Sequence, residues 1–393
     1  MNKNFLSLGN QPLANNFKLK KVNSFYKLYI KFDDKTKLVS INKRVGKEIM
    51  FNKTYPYRSS MSLSVQNHFK ILSKKIKKRY SPKKILEIGS NDGAFAKNFS
   101  KNEIVCVEPC YDVGAALKKK GYKVYIKYFD DNLVKLLTYH NNKYDLIFSA
   151  NTITHIDDIK KVLKNIKNTL SVDGVFILEE PSLLECFKQN AFDQFYNEHI
   201  YVLSALSLTN ILKKIGLKIF KIENFELHGG SLRYYIVHEK NKKYKISQSF
   251  NNQIVAEMKA GLSKLSTYKR FAKNVQQIKK KLIKIFKSIK KKNKKIVGYG
   301  ASAKSVTVLN FCNLKEDYFE YFLDTTEYKV NKYLPGTGIL VKKYHKKILD
   351  KDIYYFLGAW NFKKEIFLKE RAIINNGAKF IMHLPTPHIF EKK

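Results

Sequence analysis

Cysteine is scarce: Cys106, Cys110, Cys186 and Cys312 are the only four in 393 residues. Their irregular spacing excludes a secreted disulfide framework and fits a reducing compartment, so a cytoplasmic location is expected. Long apolar runs are missing too. No uninterrupted stretch approaches the roughly 18 residues that a membrane span needs, and the start MNKNFLSLGNQ lacks the apolar segment of a signal peptide. Arginine is the third shortage. Only Arg44, Arg58, Arg79, Arg233, Arg270 and Arg371 stand among 75 basic residues.

What is abundant is lysine, and the formal charge reaches +42. Such a balance ordinarily points to nucleic acid, an anionic membrane or an acidic ligand. The lysines, however, are scattered among Asn, Ile, Tyr and Phe along the whole chain, the pattern of compositional drift toward A/T-rich codons. Specific readers of phosphates and bases lean instead on the bidentate fork of arginine. The sequence therefore argues against a nucleic-acid role, although its field would still draw in a nucleotide diphosphate.

The length allows two or three domains, because single cores rarely grow past roughly 250 residues. Residues 1–70 read as a small β region with strand candidates YKLYIKF and TKLVSI, bounded by Gly, Pro and Asn. From 71 to 240, strands KKILEIG, NEIVCVEP, KYDLIFSAN and GVFILEEP alternate with amphipathic stretches such as DDIKKVLKNIKNTL, which predicts a doubly wound parallel sheet. The spacing of Ile254, Met258, Leu262, Leu265 and Phe271 predicts one helix over 253–294. It opens a last part, 241–393, whose strands KKIVGYG, YFEYFLD and DIYYFLG predict a second Rossmann-like α/β unit. The expected fold class is α/β, with a small β-rich N-terminal domain, a central Rossmann-like domain and a C-terminal Rossmann-like domain.

The segment ILEIGSNDGAF carries Glu87, Gly89, Asn91 and Gly93 between a strand and a helix. Glycines there let the backbone approach a cofactor closely beyond the strand's carboxyl end. At the end of the following strand, Glu108 sits where a carboxylate accepts hydrogen bonds from both ribose hydroxyls. The loop does not provide G-x-G-x-x-G, so S-adenosylmethionine is expected in preference to NAD. An ordinary glycine turn is the plain alternative. After the strand that starts near Asp145, Asn151 and His155 are delivered toward the same crevice.

A second group lies in FDQFYNEHIYVLS, where Tyr196, Glu198 and His199 stand together soon after GVFILEEP. A phenol, a carboxylate and an imidazole form a proton-handling set. Taken alone, the same cluster also reads as a helix start with a core histidine and a surface carboxylate. The segment HGGSLR, His228 to Arg233, reads equally as an anion-binding turn or a simple hairpin.

Taken together, these motifs resemble the sugar C-methyltransferases of deoxysugar biosynthesis, especially the 3-C-methyltransferases acting on nucleotide-linked 4-keto sugars. The resemblance runs nearly end to end. It takes in FLSLGNQPLANNF, the lid segment YPYRSSMSLSVQNHF, ILEIGSNDGAF, ANTITHIDD, FDQFYNEHIYVLS, HGGSLR, VGYGASAKSVTVLNFC and LDTTEYKVNKYLPGT. It implies that Tyr57, His155, Tyr196, Glu198 and His199 line the reaction centre, with His199 as base. It also implies that Tyr299 and Lys304, with His228 and Arg233, contact a nucleotide-sugar substrate. A ketone at sugar C4 acidifies the C3 proton, so a base can generate an enolate that attacks the sulfonium methyl in line. That chemistry requires no metal.

One departure is plain. The family's first domain carries four zinc-binding cysteines, whereas the first hundred residues here offer only His68 as a zinc-type ligand, so zinc is not expected. This opens the identity of the substrate more than the chemistry. The alternatives are a methyltransferase of the same fold acting on a sugar oxygen or nitrogen or on RNA, and a non-catalytic scaffold. Oligomeric state is not legible.

Overall fold

The computed structural model describes residues 2–21, 24–42, 45–51, 57–346 and 349–392. Within them the chain forms three sheets flanked by helices. Part of the lid segment, residues 52–56, lies outside the described residues.

The first sheet contains β1 (Asn2–Gln11), β2 (Tyr26–Asp33) and β3 (Val39–Ile41), all antiparallel. Alternation along β2 buries Leu28, Ile30 and Phe32 on one face, as a half-buried strand requires. The fourth strand comes from far along the chain. Here β9 (Tyr201–Val202) pairs with β3 directly after the Tyr196–His199 segment. The small sheet is thus joined to the centre of the molecule by backbone hydrogen bonds. The YKLYIKF segment forms β2, while TKLVSI contributes only the short β3; β1, unforeseen, is the longest strand of this sheet.

The central sheet has seven strands, in the order β10, β11, β8, β7, β4, β5, β6. Their ranges are β4 (Ile85–Ile88), β5 (Ile104–Val107), β6 (Lys123–Tyr125), β7 (Tyr144–Ala150), β8 (Leu170–Pro181), β10 (Leu217–Phe225) and β11 (Ser231–His238). All are parallel except β11, which lies antiparallel between β8 and β10. Strand β4 is buried along its whole length, as expected of a parallel strand covered on both faces. The chain reverses its winding between β4 and β7, which opens a crevice at their carboxyl ends.

The third sheet follows the order β14, β13, β12, β15, β16, β17, made of β12 (Ile296–Tyr299), β13 (Phe322–Asp324), β14 (Val341–Lys343), β15 (Tyr354–Leu357), β16 (Lys379–Met382) and β17 (His388–Phe390). Five strands are parallel, with β17 antiparallel at the edge. This is the doubly wound order of a Rossmann sheet, as the alternation of strands and helices predicted.

The predicted single helix over 253–294 is two helices, Gln248–Lys259 and Leu265–Lys291. Gly261 separates them at φ +77°, where a β-carbon would lie 2.5 Å from Thr267 Oγ1. Met258, counted on the apolar face, is 50% exposed, because the break rotates the first helix out of phase with the second. No helix among the described residues is long and apolar enough to cross a membrane.

Candidate active site

A cavity of about 340 Å³ opens at the carboxyl ends of β4, β5 and β7. Its wall includes Glu87, Gly89, Asn91, Glu108 and Asn151, together with Tyr57, His155 and His228. Gly89 has φ +76°, and a β-carbon there would fall 2.0 Å from Thr152 Oγ1, so the loop after β4 closes against the loop after β7 only because the side chain is missing. Gly93 is not on this wall. Its φ is +85°, and a β-carbon would lie 2.5 Å from Leu117, so its place is in packing against the helix Tyr111–Lys119.

Glu108 accepts the Asn91 N–H at 2.8 Å on one carboxylate oxygen and the Cys110 N–H at 2.9 Å on the other. Each oxygen retains accepting capacity toward the cavity. Burial raises the carboxyl above its ordinary value, while these two donors pull it back. Glu87 is held well above its ordinary value by burial and by the nearby Glu108 and Asp92 carboxylates. Asn91 also ties down the lid segment: its side chain accepts from Ser59 N–H and donates to the Tyr57 carbonyl. Asp92 accepts from Ser60, and Arg58 pairs with Asp112 at 2.5 Å.

The cavity fits a nucleoside cofactor. It pairs a carboxylate suited to ribose hydroxyls with a glycine cradle, and Asp157 Oδ1 on its wall is buried with no hydrogen-bond partner among the described residues. Asp157 was not foreseen, although it lies within ANTITHIDD; an aspartate before a helix reads as a cap, a position that Asp158 in fact fills.

Beyond the cavity lies the Tyr196–His199 pair. His199 Nδ1 lies 3.0 Å from the Gln194 carbonyl, which can only accept, so Nδ1 carries the proton. Nε2 is then the basic nitrogen, and the Tyr196 hydroxyl donates to it at 2.5 Å. Burial holds the imidazole well below its ordinary value, reinforced by His155 and the Lys304 ammonium. The His155 and His199 rings meet edge to face with centroids 4.9 Å apart, linking the pair to the cavity wall. His155 Nδ1 donates to the Glu198 carbonyl at 2.6 Å, and burial lowers this imidazole to about 4.

The Glu198 carboxylate turns away from both rings. It accepts from Asn15 N–H at 3.0 Å, from the Asn15 side chain and from Ala14 N–H, which anchors the N-terminal segment. Arg233 is also turned inward, toward Glu179 at 2.5 Å, Glu223 at 2.6 Å and His68 at 3.1 Å. Tyr299 donates to Glu370 at 2.6 Å inside the third sheet's own packing. Lys304 reaches the Gln194 side chain at 3.0 Å. HGGSLR forms the turn of the β10–β11 hairpin, with His228 on the cavity wall.

Two family models match in succession, a methyltransferase domain over residues 65–222 and a C-methyltransferase C-terminal domain over 226–385. The C-methyltransferase NovU of Streptomyces niveus is 26% identical over 307 residues, 78% of this chain and 73% of that protein. Among solved structures, an S-adenosylmethionine-dependent methyltransferase from Clostridium acetobutylicum ATCC 824 aligns at 15% identity over 43% of this chain and 89% of its own, with a TM-score of 0.35. The magnesium protoporphyrin IX methyltransferase of Synechocystis PCC 6803 with bound SAM aligns at 10% identity over 44% and 79%, with a TM-score of 0.34. The class is therefore defined: the chain is an S-adenosylmethionine-dependent methyltransferase. Within that class the comparisons point to C-methyltransferases: residues 226–385 match the C-methyltransferase C-terminal domain, and NovU is a C-methyltransferase.

Proposed function

We propose that the protein methylates a carbon of a nucleotide-linked keto-deoxysugar through an enolate. The observation that carries this reading is the Tyr196–His199 pair, in which a neutral imidazole with its basic nitrogen on a phenol lies beside the wall of the cofactor cavity. Methylation at oxygen or nitrogen starts from an atom that already bears a lone pair. Methylation at carbon needs a base to create one.

In this reading residues 1–70 cover the substrate, 71–240 hold the cofactor and 241–393 hold the nucleotide-sugar. S-adenosylmethionine supplies an activated methyl group. Glu108 would accept hydrogen bonds from its ribose hydroxyls, and the loop of Gly89 and Asn91 would let it approach the backbone closely. His199 Nε2 takes up the C3 proton, with the Tyr196 hydroxyl in the path. Tyr57, 42% exposed at the cavity rim, is held above its ordinary value by loss of solvent and by the Asp92 carboxylate, so it stays protonated and can donate to the enolate oxygen. The carbon then forms a bond to the methyl group as the sulfur–methyl bond breaks, and the enolate returns to the ketone.

The test is calorimetric titration with S-adenosylmethionine, followed by mass analysis after adding a nucleotide-linked 4-keto-6-deoxy sugar. The expected result is binding and a gain of one methylene mass, with loss of the exchangeable deuterium at C3. A methyl group found on oxygen or nitrogen would overturn the enolate.

A further inference from the structure

Three side chains from the third sheet's layer converge on the turn Phe192–Gln194, which precedes the reaction centre. Trp360 Nε1 donates to Asp193 Oδ2 at 2.6 Å, and His383 Nε2 lies 3.0 Å from the same oxygen. Lys304, in the first turn of the helix Ala303–Cys312, donates to Gln194 Oε1 at 3.0 Å. Gln194 uses every polar group it has in this region. Its Nε2 donates to the His228 carbonyl at 2.9 Å, and its own carbonyl accepts from His199 Nδ1. Gln194 and Lys304 are both buried.

We propose that Gln194 and Lys304 are positioning residues for His199: Gln194 fixes the imidazole as the Nδ1–H tautomer with Nε2 on Tyr196, and Lys304, held on the Gln194 side chain, places its amine behind it. This rests on the reading of His199 as the base. It assigns Lys304 to the histidine, through Gln194, and not to the nucleotide.

The physical need is specific. A base must be neutral before it can accept a proton, and its basic nitrogen must face the hydroxyl that passes the proton on. A carbonyl at Nδ1 settles the second requirement, because it can only accept. A buried ammonium settles the first, because it opposes a second positive charge on the ring. The charged or titratable groups around His199 are His155 from the loop after β7, Tyr196 on its own segment, His228 from the hairpin turn and Lys304 from the helix after β12. Of these, Lys304 is the one amine; burial lowers it from its ordinary value, and the Asp193 carboxylate pulls it back. The Asp193 carboxylate acts on Lys304 as a counter-charge, while its Oδ2 meets Trp360 and His383.

The experiment is nitrogen-15 NMR of the histidine rings in the full-length protein across pH, with His199 assigned by difference from His199→Gln. In the unsubstituted protein His199 is expected as the neutral Nδ1–H tautomer at pH 7. Finding the Nε2–H tautomer would overturn the proposal without any substitution at Lys304. In Lys304→Met the His199 titration midpoint is expected to rise by about one pH unit, with the acid limb of kcat moving alongside, and Lys304→Arg is expected to restore both. A midpoint unmoved in a folded Lys304→Met protein would overturn the role of Lys304. Methyl transfer by His199→Gln at the normal rate would instead overturn His199 as base, and the ring titration would still report on Lys304, so the two failures are distinguishable.

Discussion

A β-carbon at position 89 would fall 2.0 Å from Thr152 Oγ1, so the two loops that build the cofactor cavity can touch only where Gly89 has no side chain. Thr152 cannot simply retreat. Its N–H donates to Glu180 at 3.2 Å and its hydroxyl to the Ala150 carbonyl at 3.0 Å. Gly89→Val would therefore strain a backbone at φ +76° and push apart the walls that carry Asn91 and Asn151. The expected outcome is a fall in S-adenosylmethionine affinity of at least ~100-fold, about 3 kcal/mol. Titration calorimetry on the folded variant checks this; unchanged affinity would place the cofactor elsewhere.

Arg233 makes the opposite case, a residue whose chemistry suggests a ligand but whose partners are all internal. Burial alone would push the Glu179 carboxyl upward, yet His68 and Arg233 together hold it below the ordinary range. Glu223, bonded to Lys221, Tyr235 and Arg233, is held at about 2. Arg233→Met would leave buried Glu179 without its cation. Breaking such a pair typically costs ~3–5 kcal/mol, so urea unfolding should show a loss of that order. Well below the new Tm, acceptor KM should stay within about twofold, since the side chain does not line the cofactor cavity. Normal stability with a raised acceptor KM would restore Arg233 as a substrate contact.

What was legible in the sequence follows the range of the interactions. Glu87, Gly89, Asn91 and Glu108 were readable because a strand, a glycine turn and a second strand lie within 24 consecutive residues, and local order alone brings them to one crevice. His155 and His199 were readable as neighbours because parallel strands deliver their ends to one edge. The pairing of β9 with β3 was not readable, since two residues carry no periodicity. The break at Gly261 was hidden because Leu262 and Leu265 continue the apolar rhythm across it. Gln194 left no signal at all. Its part is played largely by a backbone carbonyl, which every residue type possesses. The inward turn of Glu198, Arg233 and Tyr299 depends on partners between 10 and 184 positions away, and no local pattern specifies them.

Glu180 gives a prediction in which pH is the variable. The carboxylate is fully buried at the end of β8 and accepts from Thr152 N–H and Thr154 N–H at 3.2 Å each, and from the Thr154 hydroxyl at 2.8 Å. It thereby holds the turn that presents Asn151 and His155. Burial raises this carboxyl to about 7 against the opposing pull of those donors. In the unfolded chain it would ionise near 4.5. Between these two values the folded protein binds the extra proton, so stability must fall as pH rises. The contribution is fully present below about pH 4.5 and lost as pH passes through about 7, in total on the order of 3 kcal/mol. Glu180→Gln keeps an acceptor oxygen and cannot titrate. Urea unfolding at pH 5 and pH 8 should therefore show the unsubstituted protein losing about 2.5 kcal/mol more than the variant, with the shifts of other buried carboxyls, such as Glu87 and Glu257, cancelling in the comparison. Equal losses in the two proteins would mean that Glu180 is ionised in the folded state at pH 5, held there by its three donors.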